Sequence, residues 1–145
     1  MKVFLGQINP TVGDLDGNAK KIFDLTHKAS RSSADIVITP ELSLWGYPAK
    51  DLLLKKNLIN KQNQLLDFLA DSIYENFGEL DVLVGIAEEI NDSFFPNLYN
   101  SAALLSKGKW AVVARKIILP TYEVFDEKRY FRSGKHISCI KKSLN

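Results

Sequence analysis

Asp35-Ile36-Val37-Ile38-Thr39-Pro40-Glu41 is an apolar, β-branched run closed by a proline, with a carboxylate directly beyond it. Such residues favour pleated backbone, and a run without polar alternation reads as a strand buried on both faces. Upstream, Ala19, Ile22, Phe23, Leu25, Thr26 and Ala29 recur at helical spacing as far as Ser30, after turn chemistry at 11–17 and a helix start near Asp14. Before that helix, Val3-Phe4-Leu5-Gly6-Gln7-Ile8 predicts another strand, ended by Asn9-Pro10. Downstream, 40–50 holds two prolines and a glycine and reads as a loop. A long helix is predicted from about Asp51 to Phe77, stopped by Gly78. Asp81-Val82-Leu83-Val84-Gly85-Ile86-Ala87 predicts a third buried strand. Two more, Leu98–Leu105 and Lys109–Ile118, are joined by the hairpin composition Ser106-Lys107-Gly108. Residues 119–135 read as irregular, and Ile137–Ile140 as one more short strand. Strands alternating with helices and then a hairpin predict an α/β domain with a mixed sheet.

A chain of 145 residues with 46% hydrophobic composition builds one core. Nineteen basic residues against 17 acidic ones, scattered apart from pairs such as Lys20-Lys21, Lys55-Lys56 and Lys141-Lys142, argue against nucleic acid or a membrane surface as partner. No apolar run reaches membrane-spanning length, and no signal-peptide pattern precedes the first strand, so a soluble, cytoplasmic protein is expected. In that setting Asn91-Asp92-Ser93, though it fits a glycosylation sequence, reads as a polar loop. The single cysteine, Cys139, has no intramolecular disulfide partner. His27 and His136 are far apart without ligand-like neighbours, so no metal site is expected.

Glu41 stands where open α/β sheets place ligands, just past a strand. Flanked by Leu42, Leu44 and Trp45, it reads as a partly desolvated carboxylate suited to general-base work, or as an ordinary loop carboxylate. Lys116 lies in the apolar run ending at Ile118; it points either into a site or, as alternation favours, to solvent. The segment 122–131, dense in aromatics and charges, either shapes a site or packs on itself as an Ω-loop. Glycine-rich phosphate loops, HExxH and nucleophile-elbow patterns are absent from the sequence. Cys139 has no adjacent base and reads as a structural or incidental thiol rather than a nucleophile.

Four stretches together carry a resemblance. They are Gln7-Ile8-Asn9-Pro10-Thr11-Val12-Gly13-Asp14 with Gly17-Asn18; Pro40-Glu41-Leu42-Ser43-Leu44-Trp45-Gly46-Tyr47-Pro48 with Asp51-Leu52-Leu53; Leu98-Tyr99-Asn100-Ser101-Ala102; and Arg115-Lys116 with Leu119-Pro120-Thr121-Tyr122 and Val124-Phe125-Asp126-Glu127-Lys128-Arg129-Tyr130-Phe131. Over residues 1–135 the chain resembles the nitrilase superfamily of carbon–nitrogen hydrolases. Within it, the likeness is to the glutaminase domain of glutamine-dependent NAD⁺ synthases. The resemblance implies about half of an α-β-β-α sandwich. It also implies a Glu-Lys-Cys triad in which Glu41 matches the general base and Lys116 the cation set against the tetrahedral intermediate. Glu127 matches a supporting carboxylate, while Tyr47 and Tyr122 match residues lining the glutamine pocket and its ammonia exit. The substrate implied is glutamine, in a homo-oligomeric enzyme whose ATP and Mg²⁺ belong to a separate synthetase domain. No cofactor is implied for this segment.

The family's catalytic cysteine follows a hydrophobic strand and precedes Glu-Asp, a context Cys139 lacks, so Cys139 is not matched to it. Residues 1–145 are therefore expected to be the N-terminal portion of the hydrolase domain without its nucleophile or synthetase domain, inactive alone and prone to self-association. Two other origins stay open: a fragment of a stand-alone amidase or nitrilase, and a non-catalytic remnant that binds a complete relative.

Overall fold

The computed structural model describes residues 1–92 and 94–140; Ser93 of the Asn91-Asp92-Ser93 sequence and the Lys141-Lys142 pair lie outside the described residues. Strands β1 (Val3–Leu5), β2 (Ile36–Ile38) and β3 (Asp81–Glu89) run parallel in that order. Strand β4 (Leu98–Ser106) is antiparallel to β3, and β5 (Lys109–Arg115) is antiparallel to β4. Beyond the end of β5, the two-residue β6 (Phe131–Arg132) runs parallel to β4 beside Leu98 and Tyr99. The sheet is mixed and the domain is α/β, as the strand and helix pattern predicts.

Helices α1 (Leu15–Arg31) and α2 (Lys56–Phe77) form the β1–β2 and β2–β3 crossovers and contact each other. Both crossovers advance the same way along the sheet, so their common handedness places them on one face. In α1, Leu15, Ala19, Ile22, Thr26 and Ala29 are buried at helical spacing, with Asp14 capping the start by accepting from the Gly17 N–H at 3.0 Å. Lys28 and Arg31 in its last turn suit the negative end of the helix dipole. Under these helices lie Val37, Val82, Val84, Ile86, Ala103 and Leu105, all buried. The opposite face is apolar too, yet Val3 and Leu5 on β1 stay 41% and 72% exposed.

Because β2 stops opposite Leu83, the edge of β3 beyond it needs other hydrogen-bond partners. Ser43 Oγ accepts from Gly85 N–H at 3.2 Å. Gln62 of α2 receives the Ala87 N–H at 3.0 Å on Oε1 and donates Nε2 to the Ala87 carbonyl at 2.9 Å. Trp45 Nε1 donates to the same Oε1 at 2.6 Å. These bonds pin the 42–45 turn onto β3.

Between β4 and β5 the register slips once. Ala103 faces Val112 and Ala102 faces Ala114, leaving Val113 as an extra residue in a bulge. The hairpin turn is Lys107-Gly108, both at positive φ (52° and 74°), as a two-residue connection between twisted strands requires.

Several sequence expectations are corrected. The helix expected from Asp51 begins at Lys56: Lys50–Leu54 forms a 3₁₀ turn that buries Leu53, and Lys55 is extended (ψ 100°), interrupting it. The first strand is three residues, not six. The strand expected to reach Ile118 ends at Arg115, where β6 takes over beside β4. Residues 137–140 form no strand; Ile137 is 87% exposed and pairs with nothing in the sheet among the described residues. Residues 119–135, expected to be irregular, include a short 3₁₀ turn, Glu127–Arg129, and β6.

Candidate functional site

Three segments meet beyond the end of β2. The turn after Pro40 brings Glu41, the exit from β5 brings Lys116, and the 3₁₀ turn Glu127–Arg129 brings Glu127. Lys116 Nζ donates to Glu41 Oε1 at 2.7 Å and to Glu127 Oε1 at 2.9 Å. Tyr47 O–H donates to the same Glu127 oxygen at 2.7 Å. Glu127 is almost fully buried, and its Oε2 has no hydrogen-bond partner among the described residues. Glu41 is not desolvated as its apolar neighbours suggest: 43% of its side-chain surface is accessible. Lys116, which alternation favoured turning to solvent, is instead held between two carboxylates.

Burial works against the Lys116 charge, but hydrogen bonds and attraction from Glu41 and then Glu127 outweigh it and hold the ammonium above its ordinary pKa. The Tyr47 phenol is pushed well above its usual value, first by burial, then by its bond to Glu127 and that carboxylate's charge. The result is a fixed cation beside an accessible carboxylate, backed by a buried carboxylate with acceptor capacity to spare.

The pair stands between two recesses. One, about 350 Å³, is lined by Pro40, Glu41, Leu83, Asn100, Ala114 and Lys116. The other, about 380 Å³, lies behind Glu127 and is lined by Leu42, Tyr47, Asp51, Val124, Glu127 and Tyr130. Tyr122 stands one step out: its ring meets Phe125 edge-on at 5.4 Å, and Phe125 in turn lies 6.0 Å from Tyr47. Cys139 is exposed, and neither Glu41 nor Lys116 hydrogen-bonds it. Among the described residues, no group of three or more His, Cys, Asp or Glu side chains is placed to hold a metal ion, and no helix is long and apolar enough to cross a membrane.

Two residues without a predicted role shape the site. Gly85 lets the Glu41 turn lie against β3: a Cβ there would come 2.3 Å from Leu42 N and 2.6 Å from the Pro40 carbonyl oxygen. Asn100 Nδ2 donates to Glu41 Oε1 at 2.5 Å. Both belong to strands read correctly from the sequence, but only cross-strand register reveals what they face.

A family model described as carbon–nitrogen hydrolase matches residues 2–144. The glutamine-dependent NAD(+) synthetase of Thermotoga maritima is 38% identical over 141 residues, which is 97% of this chain and 23% of that protein. The enzyme of the same description from Acinetobacter baylyi is 38% identical over 92% of this chain and 23% of its own length. In three dimensions, the glutamine-dependent NAD+ synthetase from Acinetobacter baumannii superposes with a TM-score of 0.84 at 36% identity, covering 98% of this chain and 25% of that one. An amidase from Nesterenkonia sp. shares the fold with a TM-score of 0.71 at 20% identity, over 94% of this chain and 49% of its own. The chain thus spans about a quarter of the synthetases and half of the amidase. With a family match over nearly every residue and a sheet and helix layer that superpose on these relatives, this chain belongs to the carbon–nitrogen hydrolase family.

Proposed function

We propose that this chain carries the base and the cation of a site that hydrolyses the side-chain amide of glutamine and supplies the ammonia for NAD⁺ synthesis. The observation that supports this reading is the Lys116 ammonium shared between Glu41 at 2.7 Å and Glu127 at 2.9 Å, in a chain similar over nearly its whole length to glutamine-dependent NAD(+) synthetases.

Glu41 takes the proton of a cysteine thiol, and the thiolate sulfur bonds to the amide carbon. The carbonyl oxygen becomes an oxyanion against Lys116, a charge already in place before the reaction begins. The C–N bond then breaks, Glu41 returns its proton to the nitrogen, and ammonia leaves. Water, activated by the same carboxylate, hydrolyses the thioester. Glu127 holds Lys116, Tyr47 lines the recess behind Glu127, and Tyr122 stands beyond it against Phe125. The thiol comes from outside residues 1–145: Cys139 is exposed and unconnected to Glu41. The intact enzyme is a cytoplasmic homo-oligomer in this reading. ATP and Mg²⁺ serve its amidating domain, and no residue of this chain is assigned to them.

The test is a titration of the isotope-labelled chain with glutamine and with glutamate, followed by NMR, alongside an ammonia assay. Resonances of Tyr47, Lys116 and Glu127 move with glutamine but not with glutamate, and no ammonia appears. Absence of site-localised shifts overturns the substrate; ammonia release abolished by Cys139→Ser overturns the assignment of the nucleophile.

A further inference from the structure

We infer that Asn100 is the positioning residue of this site, fixing the Glu41 carboxylate with its side chain and the Lys116 backbone with its carbonyl. The importance of that geometry rests on the reading that Glu41 and Lys116 are the reacting pair.

Asn100 sits on β4 opposite Ala87 of β3 and is 4% exposed. Its Nδ2 donates to Glu41 Oε1 at 2.5 Å, and its carbonyl oxygen accepts the Lys116 N–H at 2.8 Å. Two groups that arrive 75 residues apart in sequence are thereby referred to one buried residue on the central strand pair.

Glu41 needs such a reference. It projects from a turn, keeps much of its side-chain surface in solvent, and has several rotatable bonds to immobilise. Among the described residues its hydrogen bonds come from Asn100 and Lys116 alone, and both fall on Oε1. Lys116 is an unreliable anchor during the reaction, because its ammonium must also meet the developing oxyanion. Asn100 makes no such second demand. As a neutral donor it orients the carboxylate without adding a charge that would hold it ionised, and it leaves Oε2 open to receive a proton. Gly85 completes the arrangement by letting the Glu41 turn come down onto β3 within reach of β4.

The test uses the full chain and no glutamine, so its failure is separable from failure of the substrate reading. Trace acetylation with acetic anhydride at mildly alkaline pH, quantified by mass spectrometry, reports the Lys116 amine relative to exposed Lys28. Asn100→Leu keeps the volume and the backbone bond but removes the donor. Both it and Glu41→Gln raise Lys116 labelling severalfold, because losing the Glu41 contact removes what holds the ammonium above its ordinary pKa and frees the amine. The double variant labels no faster than either single one, since both remove the same contact. Unchanged labelling in Asn100→Leu, or multiplicative effects in the double variant, overturns the proposal.

Should Asn100→Leu fail to give the wild-type melt, the Asn100 side-chain amide protons decide the matter in the native sequence. One of them is displaced downfield by the carboxylate, returns toward the ordinary amide position in Glu41→Gln, and stays displaced in Lys116→Met. A resonance indifferent to Glu41→Gln overturns the positioning role.

Discussion

Arg115 and Lys116 are consecutive residues at the end of one strand, and each is paired with glutamate, yet the two pairs are built to opposite ends. Arg115 Nε donates to Glu88 Oε2 at 2.6 Å, its Nη2 bonds Oε1, and Ser101 Oγ adds a third donor to Oε2 at 2.8 Å. The guanidinium also lies over the Tyr99 ring, 4.7 Å from its centre. Both oxygens of the Glu88 carboxylate have a donor, so this pair leaves no acceptor unmet. Lys116 is a single point charge divided between carboxylates from two other segments, and among the described residues the buried member of the set keeps an oxygen without a donor. A closed pair with fork geometry locks backbone in place; an open one with spare acceptor capacity is suited to chemistry.

Removing the cation tests the difference most severely. Lys116→Met leaves buried Glu127 without its counter-charge and should cost about 3 kcal/mol in chemical denaturation, with part of that recovered when Glu127→Gln is added. A loss no larger than that of an exposed pair would erase the contrast.

Tyr47 gives a smaller effect. Tyr47→Phe removes one donor to Glu127 and should cost about 1–2 kcal/mol. Tyr47 should also be the last tyrosine to ionise in an ultraviolet titration, moving back toward its usual value in Glu127→Gln. Because its pKa is raised in the fold, its contribution to stability is complete below pH ~10 and declines as pH climbs from there toward the folded value.

Smallest is Arg115→Ala, expected to cost under about 1 kcal/mol, since half of that guanidinium is solvated and Glu88 keeps the Ser101 donor. Glutamine-dependent shifts at Lys116 should survive it. Their loss would mean that the closed pair also serves the site.

Much of the scaffold could be read directly from local pattern. The apolar runs at 36–38 and 81–87, the helical spacing of α1 and the Lys107-Gly108 turn each follow from neighbours in sequence. The five-residue error at the start of α2 arose because Leu52 and Leu53 continue a helical rhythm that the extended Lys55 interrupts. Residues 137–140 have strand composition but pair with no strand among the described residues, and composition alone cannot supply a partner. The site divides the same way. Position beside its proline left Glu41 open between a site carboxylate and an ordinary loop one, and the family resemblance named it together with Lys116, Glu127, Tyr47 and Tyr122; of these, the fold gathers all but Tyr122 into direct contact. Asn100 and Gly85 escaped because their roles depend on what lies across a strand. The motif residues Gly13 and Asn18 show another limit. Asn18 bridges Thr11 and the Leu44 carbonyl, and Gly13 N–H donates to the Trp45 carbonyl, so these signature positions join two loops rather than the Glu41–Lys116–Glu127 cluster.

The extra residue at Val113 settles which cation reaches Glu41. Counted outward from the hairpin turn, an unbroken ladder that pairs Ala103 with Val112 would set Arg115 opposite Asn100 and carry Lys116 past it. The bulge moves the count by one, so it is Lys116 whose N–H meets the Asn100 carbonyl. The choice between a forked cation and a point charge at this position is thus a matter of parity, decided at Val113, two residues before the one cation and three before the other.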